Sequence, residues 1–172
     1  MRTKIYDRGQ IDFTVVEFPK RVYTTEEVER ARELIKKGHR HRLKIRGSPE
    51  FKQKVKEALN LIKTAQYHDF LRTYIQQIIE IEGFSQLRES EVAVWANKYA
   101  VEDPVEGAGF LIQKAHQMKA YIEGNLYYDK GEINAVKGRI QFLETLKSKS
   151  KSQTIKKKCE ESLKRWTETP FP

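Results

Sequence analysis

Residues 104–124 read PVEGAGFLIQKAHQMKAYIEG, and their spacing predicts a central helix about which the rest of the chain is arranged. Asp103 can accept from the first free N–H groups, Pro104 suits the first helical position, and Gly124 can take the left-handed conformation that closes the last turn. At about 100° per residue, Ala108, Leu111, Ile112, Ala115, Met118 and Ile122 fall on one apolar stripe, with Phe110 and Tyr121 on its flank. Gln113, His116, Gln117 and Ala120 point the other way. That polar face, expected to be wet, is where any chemistry on this helix would sit, and it holds amides where a hydrolase would hold acids and ligands.

Toward the C-terminus, Asp129 and Glu132 have the spacing of a capping box, followed by an apolar stripe of Ile133, Val136, Ile140, Leu143 and Leu146. Residues 148–152, SKSKS, make a polar break before a last helix over about 153–166. That helix places Ile155, Cys159, Leu163 and Trp166 inward and Lys156, Lys157, Lys158 and Lys164 outward. Toward the N-terminus, residues 92–96 suit a short strand or a helix, and Trp95 and Tyr99 are placed to line a groove beside the central helix. Residues 67–82 carry Phe70, Leu71, Tyr74, Ile75, Ile78 and Ile81 and predict one helix, forming a hairpin with the helix that Ser48 and Pro49 begin and Ala65 ends. Thr24 and Glu27 form a capping box for a further helix that Gly38 terminates. Residues 11–18, β-branched and aromatic in partial alternation, predict a strand.

The bulk composition narrows the classes. A chain of 172 residues with 33% charged and 38% hydrophobic residues suits one soluble domain. No run approaches the eighteen or so apolar residues of a membrane span, and the N-terminus lacks the apolar core of a signal peptide, so a cytoplasmic location is expected. The single cysteine, Cys159, excludes an internal disulfide and a cysteine-rich zinc site, and its spacing makes it a small core hydrophobe. Gly107 and Gly109 lack the Lys-Ser or Lys-Thr of a phosphate loop, and no serine occupies a nucleophile elbow.

Residues 38–47, GHRHRLKIRG, are the most basic stretch of the N-terminal half. Leu43 and Ile45 alternate with Arg42, Lys44 and Arg46, which predicts a short strand over 42–46 with one basic face, of the charged kind that discourages edge pairing. His39 and His41 lack a third metal ligand nearby. With the formal charge of +9, Arg40, Arg42, Lys44 and Arg46 are candidate contacts for nucleic acid or another anion, extended by Lys36, Lys37 and the Lys156, Lys157, Lys158 cluster if these share a side. No recognition helix, zinc finger or aromatic stacking motif accompanies them.

Five stretches, KIRGSPEF (44–51), residues 55–61, LIQKAHQ (111–117), YIEG (121–124) and QFLETL (141–146), together resemble small zinc-metallopeptidase-like proteins of the zincin type, the gluzincin-like families, over about residues 42–146. The resemblance implies a central helix reading His-Glu-x-x-His, with two imidazoles on one face gripping zinc and a glutamate activating water. Gln113, Lys114 and Gln117 stand at those positions here, and His116 is one residue out of register. Val136, Lys137 and Gly138 occupy the stretch expected to supply a third ligand, while Glu132 is assigned to its cap.

The expected protein is thus a mainly helical α+β domain with a small three-stranded sheet from residues 11–18, 42–46 and 91–96, and loose ends at 1–10 and 167–172. The resemblance implies a pseudo-metallopeptidase with no metal or other cofactor, in which Gln113, His116, Gln117, Trp95 and Tyr99 line a vestigial cleft that binds a protein or peptide. Three alternatives stay open: the amides are only the wet side of a helix, the chain binds nucleic acid through residues 36–46, or it is an active peptidase with unusual ligands.

Overall fold

A computed structural model describes residues 2–6, 11–15, 17–125 and 130–168. Strands β1 (Arg2–Tyr6) and β2 (Ile11–Val15) form an antiparallel hairpin of their own, with Arg2 opposite Val15 and Tyr6 opposite Ile11. Then follow α1 (Thr25–Lys36), β3 (Lys44–Arg46), α2 (Pro49–Thr64), α3 (His68–Tyr74), β4 (Gln77–Glu80), β5 (Gln86–Arg88), β6 (Ala93–Ala96), α4 (Pro104–Ile122), α5 (Glu132–Lys149) and α6 (Gln153–Glu168). The result is a mainly helical α+β fold. None of its helices is long and apolar enough to cross a membrane.

The second sheet has the order β3-β4-β6-β5, with β3, β4 and β6 parallel and β5 antiparallel to β6. It corrects the expected three strands in two ways. Residues 11–15 belong to the separate hairpin, and β4 and β5 are additional members. The helix expected over residues 67–82 stops at Tyr74, because Ile75 turns extended and Gln77–Glu80 becomes the strand between β3 and β6. Ile75, Ile78, Ile79 and Ile81 are β-branched and lose side-chain freedom in a helix, whereas a strand bonded on both edges accommodates them.

Local signals bound α1, α2 and α4 as expected. Thr24 Oγ1 accepts from Glu27 N, while Glu27 Oε1 accepts from Thr24 N at 2.9 Å. Ser48 Oγ accepts from Phe51 N, and Asp103 Oδ1 accepts from Val105 N at 2.8 Å. Gly38 and Gly124 follow α1 and α4 in the left-handed region, at φ +91° and +82°.

The row Ile45, Ile78, Val94 and Leu87 crosses the four strands in register. Ile78, Val94 and Leu87 belong to the continuous core with Val55, Ile62, Leu111, Ile112, Met118, Phe142 and Leu146, and Ile45 packs against it. Lys44, Arg46, Gln77, Ile79, Ala93 and Trp95 therefore project to the other face of the sheet. Helix α4 runs through the middle, packed on α2, α3, α5 and α6.

Candidate functional site

The amide face of α4 is not wet. Gln113 is 8% exposed and Gln117 is 2% exposed, because α5 lies across them. Val136, Leu143 and Leu146 of the expected α5 stripe are buried, but Ile133 is exposed, and Ala135, Gly138, Arg139 and Phe142 also face inward. Arg139 occupies the centre of the contact. Its Nη1 donates to Gln113 Oε1 at 3.0 Å, and its Nη2 donates to Glu106 Oε2 at 2.9 Å and to the Glu106 backbone oxygen at 3.3 Å. The second oxygen of Glu106 accepts from Arg165 on α6. The Arg139 guanidinium also lies 4.3 Å over the Trp166 ring. Burial lowers the Arg139 pKa to about 10 against the opposing pull of Glu106, so it stays a cation at neutral pH.

Gln117 uses its amide nitrogen on Glu132 Oε2, 3.4 Å away. The capping role expected for Glu132 is thereby corrected. It is the first residue of α5, Gly131 precedes it as the cap without a side-chain bond, and its carboxylate turns to α4; Asp129 lies outside the described residues. Lys114 is half-buried, its ammonium 5.4 Å from the Phe110 ring centre, and burial lowers its pKa, with Glu132 opposing. His116, far from solvating a cleft, is wedged edge-on to Phe70 at 4.4 Å and against Gly138, where an added Cβ would lie 2.3 Å from the ring. Burial lowers its pKa to about 4. The His116 ring borders a hollow of about 280 Å³ between α4 and α5 that neither Gln113 nor Gln117 reaches.

Trp95 and Tyr99 stand elsewhere. Trp95 is on the outer face of the sheet beneath the Arg88 guanidinium, at 4.2 Å. Tyr99, 70% exposed, edges a cleft of about 260 Å³ at the C-terminal ends of the parallel strands, with Ser48, Glu80 and Lys98. The structure does not bring either to the amides of α4.

The residues about Gln113 do not fit a divalent cation. The two amides are poor ligands beside imidazole or carboxylate, and a fixed guanidinium already holds the Gln113 oxygen. Among the described residues no three His, Cys, Asp or Glu side chains converge as metal ligands. His39 Nε2 and His41 Nδ1 lie 3.4 Å apart, yet their rings serve to hold Phe18, stacked on His39 at 4.9 Å and edge-on to His41 at 4.4 Å. His41 is buried, and burial first, then His39 and Arg72, lowers its pKa to about 4.

Arg40, Arg42, Lys44 and Arg46 are all exposed, and β3 is an edge strand as its charges suggested. Arg40 donates to its neighbour's backbone, His39 O. Arg46 instead meets Lys20, Arg21 and Arg88 about one groove of roughly 570 Å³. Lys158 is engaged with Asp103 at 3.7 Å and Lys156 donates to Lys147 O. Spacing along the chain could not find Arg139, Glu106 and Arg165, which meet across three helices. The available signal was an arginine within the apolar stripe of α5. Comparisons with protein-family models, curated proteins and solved structures find no match.

Proposed function

We propose that this chain is a catalytically inert, zincin-like scaffold that works as a binding or interaction protein in the cytoplasm. The observation that carries this reading is the Arg139 guanidinium, seated 3.0 Å from Gln113 Oε1 where a metal would need to be. At an effective dielectric of about 20, a dication about 4 Å from that guanidinium would be repelled by about 8 kcal/mol, twice the value for two unit charges. Lys114, at the position that the resembled families give to a glutamate base, presents an ammonium rather than a proton acceptor. The burial of Gln113 and Gln117 beneath α5, at 8% and 2% exposed, supports the reading further, since a peptide bond would have to displace that packing to reach them.

Elemental analysis and zinc calorimetry on the purified chain, with cleavage assays on unstructured peptides, test the proposal. The expected result is no stoichiometric zinc and no turnover. One zinc per chain that is lost in Gln113→Ala or Gln117→Ala, or turnover of any peptide, overturns it. The zincin likeness has its own test: the combined variant Gln113→His, Lys114→Glu, Gln117→His and Arg139→Met should acquire zinc binding, with Glu132 beside the new ligands. Failure of a folded variant to do so removes the likeness.

A further inference from the structure

The groove on the outer sheet face gathers cations from separate parts of the chain. Lys20 and Arg21 come from the segment before α1, Arg46 from β3 and Arg88 from β5, and Lys44 shares the same face two residues before Arg46. Among the described residues, Lys20, Arg21 and Arg46 make no ion pair and are exposed. Glu91 is the one carboxylate lining the groove among the described residues, and Arg88 already holds it at 3.5 Å. The groove is thus a region of excess positive charge, although Arg21 also lies 5.6 Å from the Tyr23 ring centre and within electrostatic reach of Glu27. Arg88 is also pre-ordered by the Trp95 ring, 4.2 Å below it, which reduces the side-chain entropy lost on binding.

From these features we infer that the groove binds the phosphate backbone of single-stranded nucleic acid, with little base selectivity. The cations come from three separate segments, with Lys44 and Arg88 on opposite edge strands, an arrangement that suits a linear polyanion better than a small anion. Lys44 and Arg88 face each other across three strand spacings in register, or about 14 Å, room for one backbone but less than a duplex. The floor between them carries the amides of Gln76 and Gln77 and the hydroxyl of Ser90, neutral donors suited to phosphate and sugar oxygens. Among the described residues, Ile79 and Ala93 are the only apolar ones lining the groove, so this lining offers no deep apolar pocket of the kind that anchors a peptide. This gives the binding role proposed above a partner, yet it rests on a different face of the molecule and stands whatever the zinc measurements return.

The test is fluorescence anisotropy with an end-labelled oligothymidylate of about 20 nucleotides, read over about 50 to 200 mM salt. Four phosphate contacts should give a log–log salt slope of about −3, from about −0.7 per contact on a single strand. The triple variant Lys20→Gln, Arg21→Gln and Arg46→Gln changes only exposed side chains. It should bind about tenfold or more weakly at the low-salt end and lose about 2 from the slope. The double variant Arg40→Gln and Arg42→Gln removes charge beside the groove and should stay within about twofold of the parent. Any of four results overturns the inference: unchanged binding by the folded triple variant, an equal loss in the double variant, tighter binding of a duplex of the same length, or equal binding of polyglutamate or phosphatidylserine vesicles.

Discussion

Glu106 is shared by two arginines in opposite surroundings, and comparing their loss isolates what burial adds to an ion pair. The Arg139 side chain is 7% exposed and that of Arg165 is 59% exposed, while Glu106 is 30% exposed. Arg139→Met keeps the length and apolar contacts of the stem but removes the guanidinium. The Gln113 oxygen is then a buried acceptor without a donor, which costs about 1–3 kcal/mol. Glu106 keeps Arg165 and part of its hydration, so its loss is on the scale of a surface pair, about 0–1 kcal/mol. The contact over Trp166 adds about 1 kcal/mol. The sum is about 3 kcal/mol, at the lower edge of the range for breaking a fully buried pair. Arg165→Met, its partner charge still held by Arg139, should cost under about 1 kcal/mol. Urea unfolding followed by circular dichroism reads both, and for a chain of this length the difference corresponds to melting points about 4–8 °C apart. Adding Gln113→Leu to Arg139→Met removes the orphaned acceptor and should recover at least about 1 kcal/mol. Equal costs for the two arginine variants, or no recovery on adding Gln113→Leu, would refute the assignment of Arg139 as a structural plug.

Two further outcomes follow from the histidines. Gly138→Ala should destabilise the protein despite alanine's helix advantage of about 1 kcal/mol, because the new Cβ meets the His116 ring. With His116→Ala already in place the same change should become stabilising, a reversal of sign read by a double-mutant cycle of unfolding free energies. The folded-state pKa values of His41 and His116 are both lowered to about 4, so between about 6.5 and 4 the unfolded chain binds protons that the folded chain refuses. Stability should therefore be fully present above about pH 6.5, fall as the pH drops toward 4, and level off below that. The contribution of His41 is about 3 kcal/mol across the window, with that of the half-buried His116 smaller. Urea midpoints at pH 7, 5.5 and 4 would show the slope, and it should flatten in the His41→Asn, His116→Asn double variant; an unchanged slope there sinks the assignment.

What the chain states locally could be read from it. The caps at Thr24, Ser48 and Asp103 each satisfy an N–H two or three residues away, so residue type and spacing are enough. The same holds for Gly38 and Gly124, whose backbone conformation needs no distant partner. Failures occur where the deciding contact is remote. Residues 75–81 satisfy a helical period and a strand equally well, and only β3 and β6 on either side choose the strand. Without β4 and β5, Arg46 groups only with its chain neighbours Arg40, Arg42 and Lys44, since the strands that bring Arg88 to the same face have no local signal. Gln113 and Gln117 were correctly placed together on one face of α4, but their exposure was not. An amphipathic period says which residues share a face and nothing about whether a second polar face packs on it.

The closure over that face is written into both helices. Helix α4 contributes Gly109, where an added Cβ would lie 2.8 Å from Arg139 Nε, and α5 contributes Gly138, where one would strike His116. Each helix thus opens a gap for the other's polar side chain. Glycine costs a helix interior about 1 kcal/mol relative to alanine, so two such positions are a standing penalty that only the seating of Arg139 and His116 explains. An amide face merely left over on an amphipathic helix would need neither gap. The reciprocal arrangement makes the cover over Gln113 and Gln117 a built feature of the α4–α5 contact, which is why binding should be sought on the open side of the sheet, where Lys20, Arg21 and Arg46 are exposed and make no ion pair among the described residues.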